Sequence, residues 1–255
     1  MHKEIKHDAS GFYDDISGNY DQMFNFEKDL DSAENFIAKL KEQFDFDTAL
    51  DIGCGTGSYT LALARSSAEA IGMDLSSSMI NEAKKNSLAY GLNIHFINSG
   101  MNEMLSNVNG KFDLIMCMGN TLPHLLHKKD LCSMLSACRQ LLNPGGHLVL
   151  NLLNYDRILD AKERIVGITR SENHEFIRFY DFQKPYVCFN LLEIDWSEGT
   201  PSHKILSTKL YPYTHLEVES ALLKNNFKDL KIYAGSGFKK YKVEKSKSIT
   251  LIASS

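Results

Sequence analysis

The sequence has little of what a cross-linked or metal-stapled protein needs. Its five cysteines, at positions 54, 117, 132, 138 and 188, are odd in number, and no two are spaced as Cys-x-x-Cys. That excludes a disulfide framework and a cysteine-rich zinc site. No apolar run approaches the roughly 18 residues a membrane helix requires. The polar start, Met1-His2-Lys3-Glu4, leads into no leader-like apolar stretch. Excess positive charge is also missing: 28 Lys and Arg stand against 32 Asp and Glu, a net charge of −4. Broad nucleic-acid binding demands dense basic charge, so it is disfavoured. The expectation is a cytoplasmic protein acting on a small-molecule partner, with no membrane contact and its oligomeric state left open.

What is present is a globular composition, 43% hydrophobic and 24% charged over 255 residues, enough for a sizeable core. Residues 8–26 hold five aromatics among Asp, Asn and Gly and read as a short helix or loop covering something. Residues 30–44 carry one apolar helical face. From Thr48 short apolar runs (48–53, 70–75, 93–98, 111–118 and 147–153) alternate with amphipathic helices near 57–66, 77–90 and 127–142. Such alternation implies parallel strands with right-handed crossovers. The turn Asn143-Pro144-Gly145-Gly146 stops the last of these helices. Residues 164–211 alternate aromatic and polar side chains as an antiparallel ribbon, residues 214–226 form a helix from a Thr214 N-cap, and strands near 228–234 and 248–253 close the chain. The fold expected is α/β: a Rossmann-like, doubly wound, mostly parallel seven-stranded sheet with an antiparallel β-ribbon insertion. Its parts are an N-terminal lid and helix (1–46), a cofactor-binding core (47–156), a substrate-side insertion (157–212), and a C-terminal helix with closing strands (213–255).

The strongest local signal is Asp51-Ile52-Gly53-Cys54-Gly55-Thr56-Gly57. Glycines at alternate positions after a strand make either a tight turn or a cradle in which a ligand meets the main chain. Asp74 ends the next strand, 21 residues beyond Gly53. Alone it reads as a helix cap; with the glycine loop it reads as the acid that binds ribose hydroxyls. The dinucleotide fingerprint Gly-x-Gly-x-x-Gly is not matched, because Ser58 stands where its third glycine belongs. Asp51 is placed to accept a hydrogen bond from an ammonium. His124 and His127 share helical spacing, but no further ligand joins them, so no metal is expected. Cys54 reads mainly as a small filler. Lys239-Lys240-Tyr241-Lys242 reads as a solvated turn, and the aromatics of 176–196 as ribbon core rather than a substrate cage.

The loop DIGCGTG resembles motif I of class I S-adenosylmethionine-dependent methyltransferases, as do GMDLS around Asp74, the strand FDLIMCM and the turn LLNPGGHLVL. Met118-Gly119-Asn120-Thr121-Leu122-Pro123-His124-Leu125, Asn154-Tyr155-Asp156 and Lys209-Leu210-Tyr211-Pro212-Tyr213 are similar to the glycine/sarcosine N-methyltransferase group. The resemblance implies S-adenosylmethionine as cofactor. Gly53, Cys54, Gly55 and Gly57 would line its methionine part, with Asp51 nearby. Asp74 would hold the ribose, Leu75 and Met79 would flank adenine, and Met118 would lie beside the cofactor. Tyr13 and Tyr20 resemble the family's aromatic lid. Asn120 and His124 would be catalytic and face the substrate with Tyr155 and Tyr213.

Two departures shape the expectation. Gly100 stands where the superfamily often has an acid, which leaves adenine recognition to Asn102 and the main chain or weakens it; Met101 is also expected at the cofactor. Leu153 stands where the glycine enzymes carry a carboxylate-binding arginine. Glycine is therefore expected to be a poor substrate, unless Arg157 or Arg178 reaches the pocket from another direction. The function expected is methyl transfer to nitrogen or oxygen of a small molecule by direct in-line attack. The alternatives are an RNA-modifying methyltransferase and a non-catalytic S-adenosylmethionine-binding regulatory protein.

Overall fold

The computed structural model describes residues 4–6, 9–197 and 199–255. In chain order the elements are β1 (Glu4–Lys6), α1 (Ala9–Phe24), α2 (Phe26–Lys41), β2 (Thr48–Ile52), α3 (Ser58–Arg65), β3 (Glu69–Asp74), α4 (Ser77–Ala89), β4 (His95–Asn98), α5 (Met104–Asn107) and β5 (Phe112–Cys117). There follow α6 (Lys128–Leu141), β6 (Leu142–Leu153), α7 (Tyr155–Ala161), β7 (Ile165–Arg170), β8 (His174–Gln183), β9 (Tyr186–Asp195) and β10 (Ser202–Leu210). The chain closes with α8 (His215–Lys224), β11 (Lys228–Ala234), β12 (Lys239–Lys240) and β13 (Ser248–Ser254).

The larger sheet runs β12-β11-β13-β6-β5-β2-β3-β4. Seven strands match the expected doubly wound sheet; the eighth, β12, is a two-residue addition at its edge. From β4 to β6 the pairing is parallel, and β13 and β11 return antiparallel. The strands are apolar on both faces because both are covered. One layer packs α2, α3 and α4 on the sheet through Phe36, Ile37, Leu61, Leu63 and Ile80, all buried. The other packs α6 and α8 through Leu131, Met134, Leu135, Val218 and Leu222. The chain leaves β2 to build outward through β3 and β4, then returns to the other side of β2 with β5. Crevices of such sheets open at that reversal, at the carboxyl ends of the strands.

The second sheet runs β1-β10-β9-β8-β7. Its antiparallel strands β7 to β10 are the expected ribbon; the parallel edge strand β1 lacks any sequence signal, being three residues long. Within the expected cover 8–26, Ala9–Phe24 form a 16-residue helix rather than a short helix or loop; Asp8, where the expected cover begins, lies outside the described residues. Gly11 and Gly18 weaken intrinsic helicity, but Phe12, Ile16 and Met23 bury against Met79 of α4 and Phe176, Leu191 and Leu206 of the second sheet. Tertiary packing outweighs propensity there. At the junction of α1 and α2, Asn25 takes φ 57°, and its side chain accepts a hydrogen bond from the Lys28 N–H. The Asn143–Gly146 turn is absorbed into the start of β6, where the pairing with β5 slips from Phe112–Leu142 to Leu114–His147. The Thr214 cap is present and completes a reciprocal capping box with Glu217. No helix among the described residues is long and apolar enough to cross a membrane.

Candidate active site

At the carboxyl ends of β2, β3 and β5 lies a cavity of about 320 Å³. Its floor is the loop 53–57. Gly53, Gly55 and Gly57 all take positive φ, of 69°, 54° and 95°, which only glycine adopts without strain. The three have different surroundings. A Cβ on Gly53 would stand 2.3 Å from Thr121 Cγ2, so the loop after β5 lies directly over it. A Cβ on Gly55 would meet nothing within 4 Å, which leaves open space beside the loop for a ligand. A Cβ on Gly57 would press on Ala83 at 3.2 Å. Gly57 does not line the cavity; it lets α3 approach α4, which corrects its expected place at the cofactor.

Two carboxylates border the floor. Asp74 accepts hydrogen bonds from the Gly55 and Ser76 N–H groups, both 2.9 Å. Asp51 is 1% exposed and accepts a 2.7 Å hydrogen bond from Thr60 Oγ1. Burial pushes its pKa up to about 7, against the Thr60 hydrogen bond and with the help of the Asp74 charge. Leu75, Met79, Met101 and Met118 form an apolar wall, with Cys54 beside the floor. Burial drives the Cys54 thiol well above the usual range, so it is not a nucleophile. Asn102 is exposed and does not line the cavity, so the polar side chain expected at adenine is turned to solvent.

A second cavity, of about 300 Å³, lies between α1, the loop after β5 and the five-stranded sheet. Tyr13, Tyr20, Gly119, His124 and Asn151 line both cavities, so the two share a wall. At this junction the Tyr13 hydroxyl lies 3.1 Å from His124 Nε2, with the rings edge to face. His124 is carried on a short 3-10 turn, Leu122–His124. Its Nδ1 is sealed from solvent and makes no hydrogen bond. Burial holds the imidazole pKa down to about 4. His124 is thus neutral near pH 7 and a poor store for a proton.

Asn120 also differs from expectation. With Gly119 it forms two consecutive left-handed residues, φ 66° and 67°, a conformation asparagine tolerates better than most. The turn lays its amide along the sheet end. There Oδ1 accepts from the Leu153 N–H at 3.0 Å, and Nδ2 donates to the Tyr155 hydroxyl at 3.0 Å. Asn120 lines the second cavity, but its amide is engaged in positioning. Tyr155 is fully buried behind the wall, 3.3 Å from the hydroxyl of Tyr180, which does line it. Tyr213 is buried away from both cavities and donates to the Leu125 carbonyl at 2.7 Å. Neither Tyr155 nor Tyr213 reaches the space where both were expected.

Residues 49–146 match a family described as a methyltransferase domain. This segment is a methyltransferase domain. The chain is 30% identical over 162 residues to the glycine/sarcosine/dimethylglycine N-methyltransferase of Actinopolyspora halophila, covering 63% of this chain and 27% of that protein. It is 30% identical over 136 residues to the ubiquinone biosynthesis O-methyltransferase of Methylococcus capsulatus, covering 51% and 56%. The chain thus spans roughly a quarter to three fifths of the length of such relatives. Two solved structures with its fold are these. One is an S-adenosylmethionine-dependent methyltransferase from Clostridium acetobutylicum (TM-score 0.80, 20% identity, 95% of this chain and 98% of that one). The other is the CcbJ methyltransferase of Streptomyces caelestis (TM-score 0.80, 18% identity, 97% and 98%).

Four further residues build the surroundings of the two cavities. Asp14 of α1 accepts hydrogen bonds from Ser76 Oγ at 2.6 Å and the Ser78 N–H at 3.3 Å, pinning α1 to the start of α4. Burial works against this carboxylate, yet these hydrogen bonds hold its pKa below the usual value. Thr121 covers Gly53. Asn151, on the shared wall, is the one polar interruption in the apolar run HLVLNLL, a signal that was legible. Arg178, on β8, enters the second cavity from the ribbon. Arg157 does not; it pairs with Glu163.

Proposed function

We propose that the chain transfers a methyl group from S-adenosylmethionine to a nitrogen or oxygen of a small molecule held in the second cavity. The observation that carries this reading is the pair of cavities meeting at Tyr13 and His124. One is built for a nucleoside with an amino-acid tail, the other is largely apolar. Three features of the first support the cofactor reading. The carboxylate of Asp74 suits ribose hydroxyls, the space beside Gly55 and the carboxylate of Asp51 suit the methionine ammonium, and Leu75, Met79 and Met101 offer an apolar slot for adenine. Bound there, S-adenosylmethionine supplies an electrophilic methyl on a positive sulfonium, so the protein's task is orientation and exclusion of water.

The Tyr13 hydroxyl and His124 Nε2 form the polar point at which the acceptor atom is held. Asn120, through Leu153 and Tyr155, fixes the loop that carries His124. Helix α1 closes over both ligands, pinned by Asp14. The low pKa of His124 favours nitrogen over oxygen. Moving a proton fully from a phenol-like hydroxyl, with a pKa near 10, to an imidazole at about 4 would cost about 8 kcal/mol. A neutral amine needs no such transfer, because it attacks with its own lone pair and loses its proton afterwards.

The test is a screen of small amines, amino acids and phenols with methyl-labelled cofactor, read by product mass. Labelled N- or O-methyl product supports the reading, and a predominantly O-methyl product would overturn the preference for nitrogen. Cofactor binding without turnover on any class would instead favour a regulatory protein, and methylation confined to RNA would favour the nucleic-acid alternative.

A further inference from the structure

The lining of the second cavity narrows the chemistry of the acceptor, an inference that rests on the methyl-transfer reading. Its walls are Phe12, Ile16 and Met23 from α1, Phe189 and Leu191 from β9, and Leu153 from β6. Among its described lining residues there is one cation, Arg178, and no carboxylate. An ammonium or polyamine therefore finds no partner there, and a very small zwitterion leaves the apolar walls uncovered.

Arg178 is held in place by its neighbours. It pairs across the ribbon with Gly167 on one side and Leu191 on the other. A Cβ at position 167 would stand 2.7 Å from Arg178 Nη2, so the glycine makes room for the guanidinium. The same nitrogen donates to Thr169 Oγ1 at 3.1 Å. A planar, fixed guanidinium on an apolar wall is suited to a carboxylate or a similar planar anion. It lies on the ribbon side of the cavity, whereas Tyr13 and His124 lie at the junction with the first cavity.

We propose that the methyl acceptor is a ring-bearing, largely apolar amine whose anionic group is received by Arg178 while its amine meets the Tyr13–His124 pair. Arg178 thus takes over, from the ribbon, the carboxylate-binding task for which Leu153 is unsuited. The recognised molecule differs from glycine in needing an apolar body between its two polar ends.

The test uses the full chain saturated with the demethylated cofactor, and three probes: 3-aminobenzoate, its methyl ester, and glycine. Calorimetry first measures the demethylated cofactor itself on the wild type and on Arg178→Gln. Both should bind it equally, since Arg178 does not line the first cavity. Failure of the wild type to bind it would overturn the methyltransferase reading and the present proposal with it. With the cofactor bound, 3-aminobenzoate should bind the wild type at least about tenfold more tightly than the ester or glycine, the scale of a charge-assisted hydrogen bond. Arg178→Gln should erase the difference between acid and ester, Arg178→Lys should restore part of it, and Gly167→Ala should reduce it by displacing the guanidinium. Equal binding of acid and ester by the wild type, binding of neither, or binding of glycine as tightly as the aromatic acid would overturn the proposal and leave the methyltransferase reading standing.

Discussion

Replacing Asp51 with asparagine should make the free protein more stable and the cofactor complex weaker. The carboxyl is 1% exposed, and its pKa rises from 3.8 to about 7, chiefly through burial. A folded-state pKa above the unfolded one means that its contribution to stability is fully present below about pH 4. It is lost as pH rises to about 7 and constant beyond. At about 1.36 kcal/mol per unit, keeping this carboxylate ionised in the folded protein costs about 4 kcal/mol at pH 8. Asparagine retains an acceptor for Thr60 Oγ1 and never ionises. Urea unfolding should show Asp51→Asn equal to the wild type near pH 4 and more stable at pH 8, by up to about 4 kcal/mol. Calorimetry should show cofactor affinity falling about ten- to hundredfold, because the ammonium loses a charged partner worth about 1.5–3 kcal/mol. Wild-type binding near pH 6 should also release a proton, seen as heat that changes with buffer. Parallel stability profiles of the two proteins from pH 4 to 8, or unchanged affinity in the variant, would refute the reasoning.

Asp14→Asn should weaken the docking of α1 on α4 by about 1–3 kcal/mol, seen as faster amide exchange in residues 9–24; in the wild type the same contact should be lost as pH falls below about 4, because this carboxyl is held below its usual value. His124→Ala should lower turnover by about tenfold or more with little change in cofactor affinity, and kcat should show no histidine inflection near pH 6.5, since burial holds His124 near 4. Asn120→Ala should lower turnover and the melting temperature together: it removes hydrogen bonds to Leu153 and Tyr155, each worth about 1 kcal/mol, at a left-handed residue. Gly53→Ala should abolish cofactor binding, because its Cβ collides with Thr121.

The sequence shows a local chemical pattern well and a long-range contact poorly. Asp51, the loop glycines and Asp74 were legible because one strand–turn–helix and the next strand end carry them, and local rules place both. The strands of the parallel sheet were legible because burial on both faces leaves continuous apolar runs. Asn120 was located but its role was not, since its partners Leu153 and Tyr155 lie more than thirty residues away. Tyr213 carried the same chemical promise as Tyr13, and only packing decided that it bonds the Leu125 carbonyl instead. Arg178 was visible as a possibility, but the register that sets it against Gly167 and Leu191 belongs to the ribbon's pairing rather than to any motif. The full length of α1 was hidden because its helicity comes from surfaces supplied by α4 and the second sheet.

The most direct measurement of the central claim is an equilibrium titration of the wild type and Asp74→Ala with S-adenosylmethionine, its demethylated product and NAD. The account predicts that the wild type binds the first two and NAD far more weakly, and that a folded Asp74→Ala variant loses about ten- to hundredfold in affinity for both. Unchanged affinity in that variant, or NAD binding as tightly as S-adenosylmethionine, would contradict it.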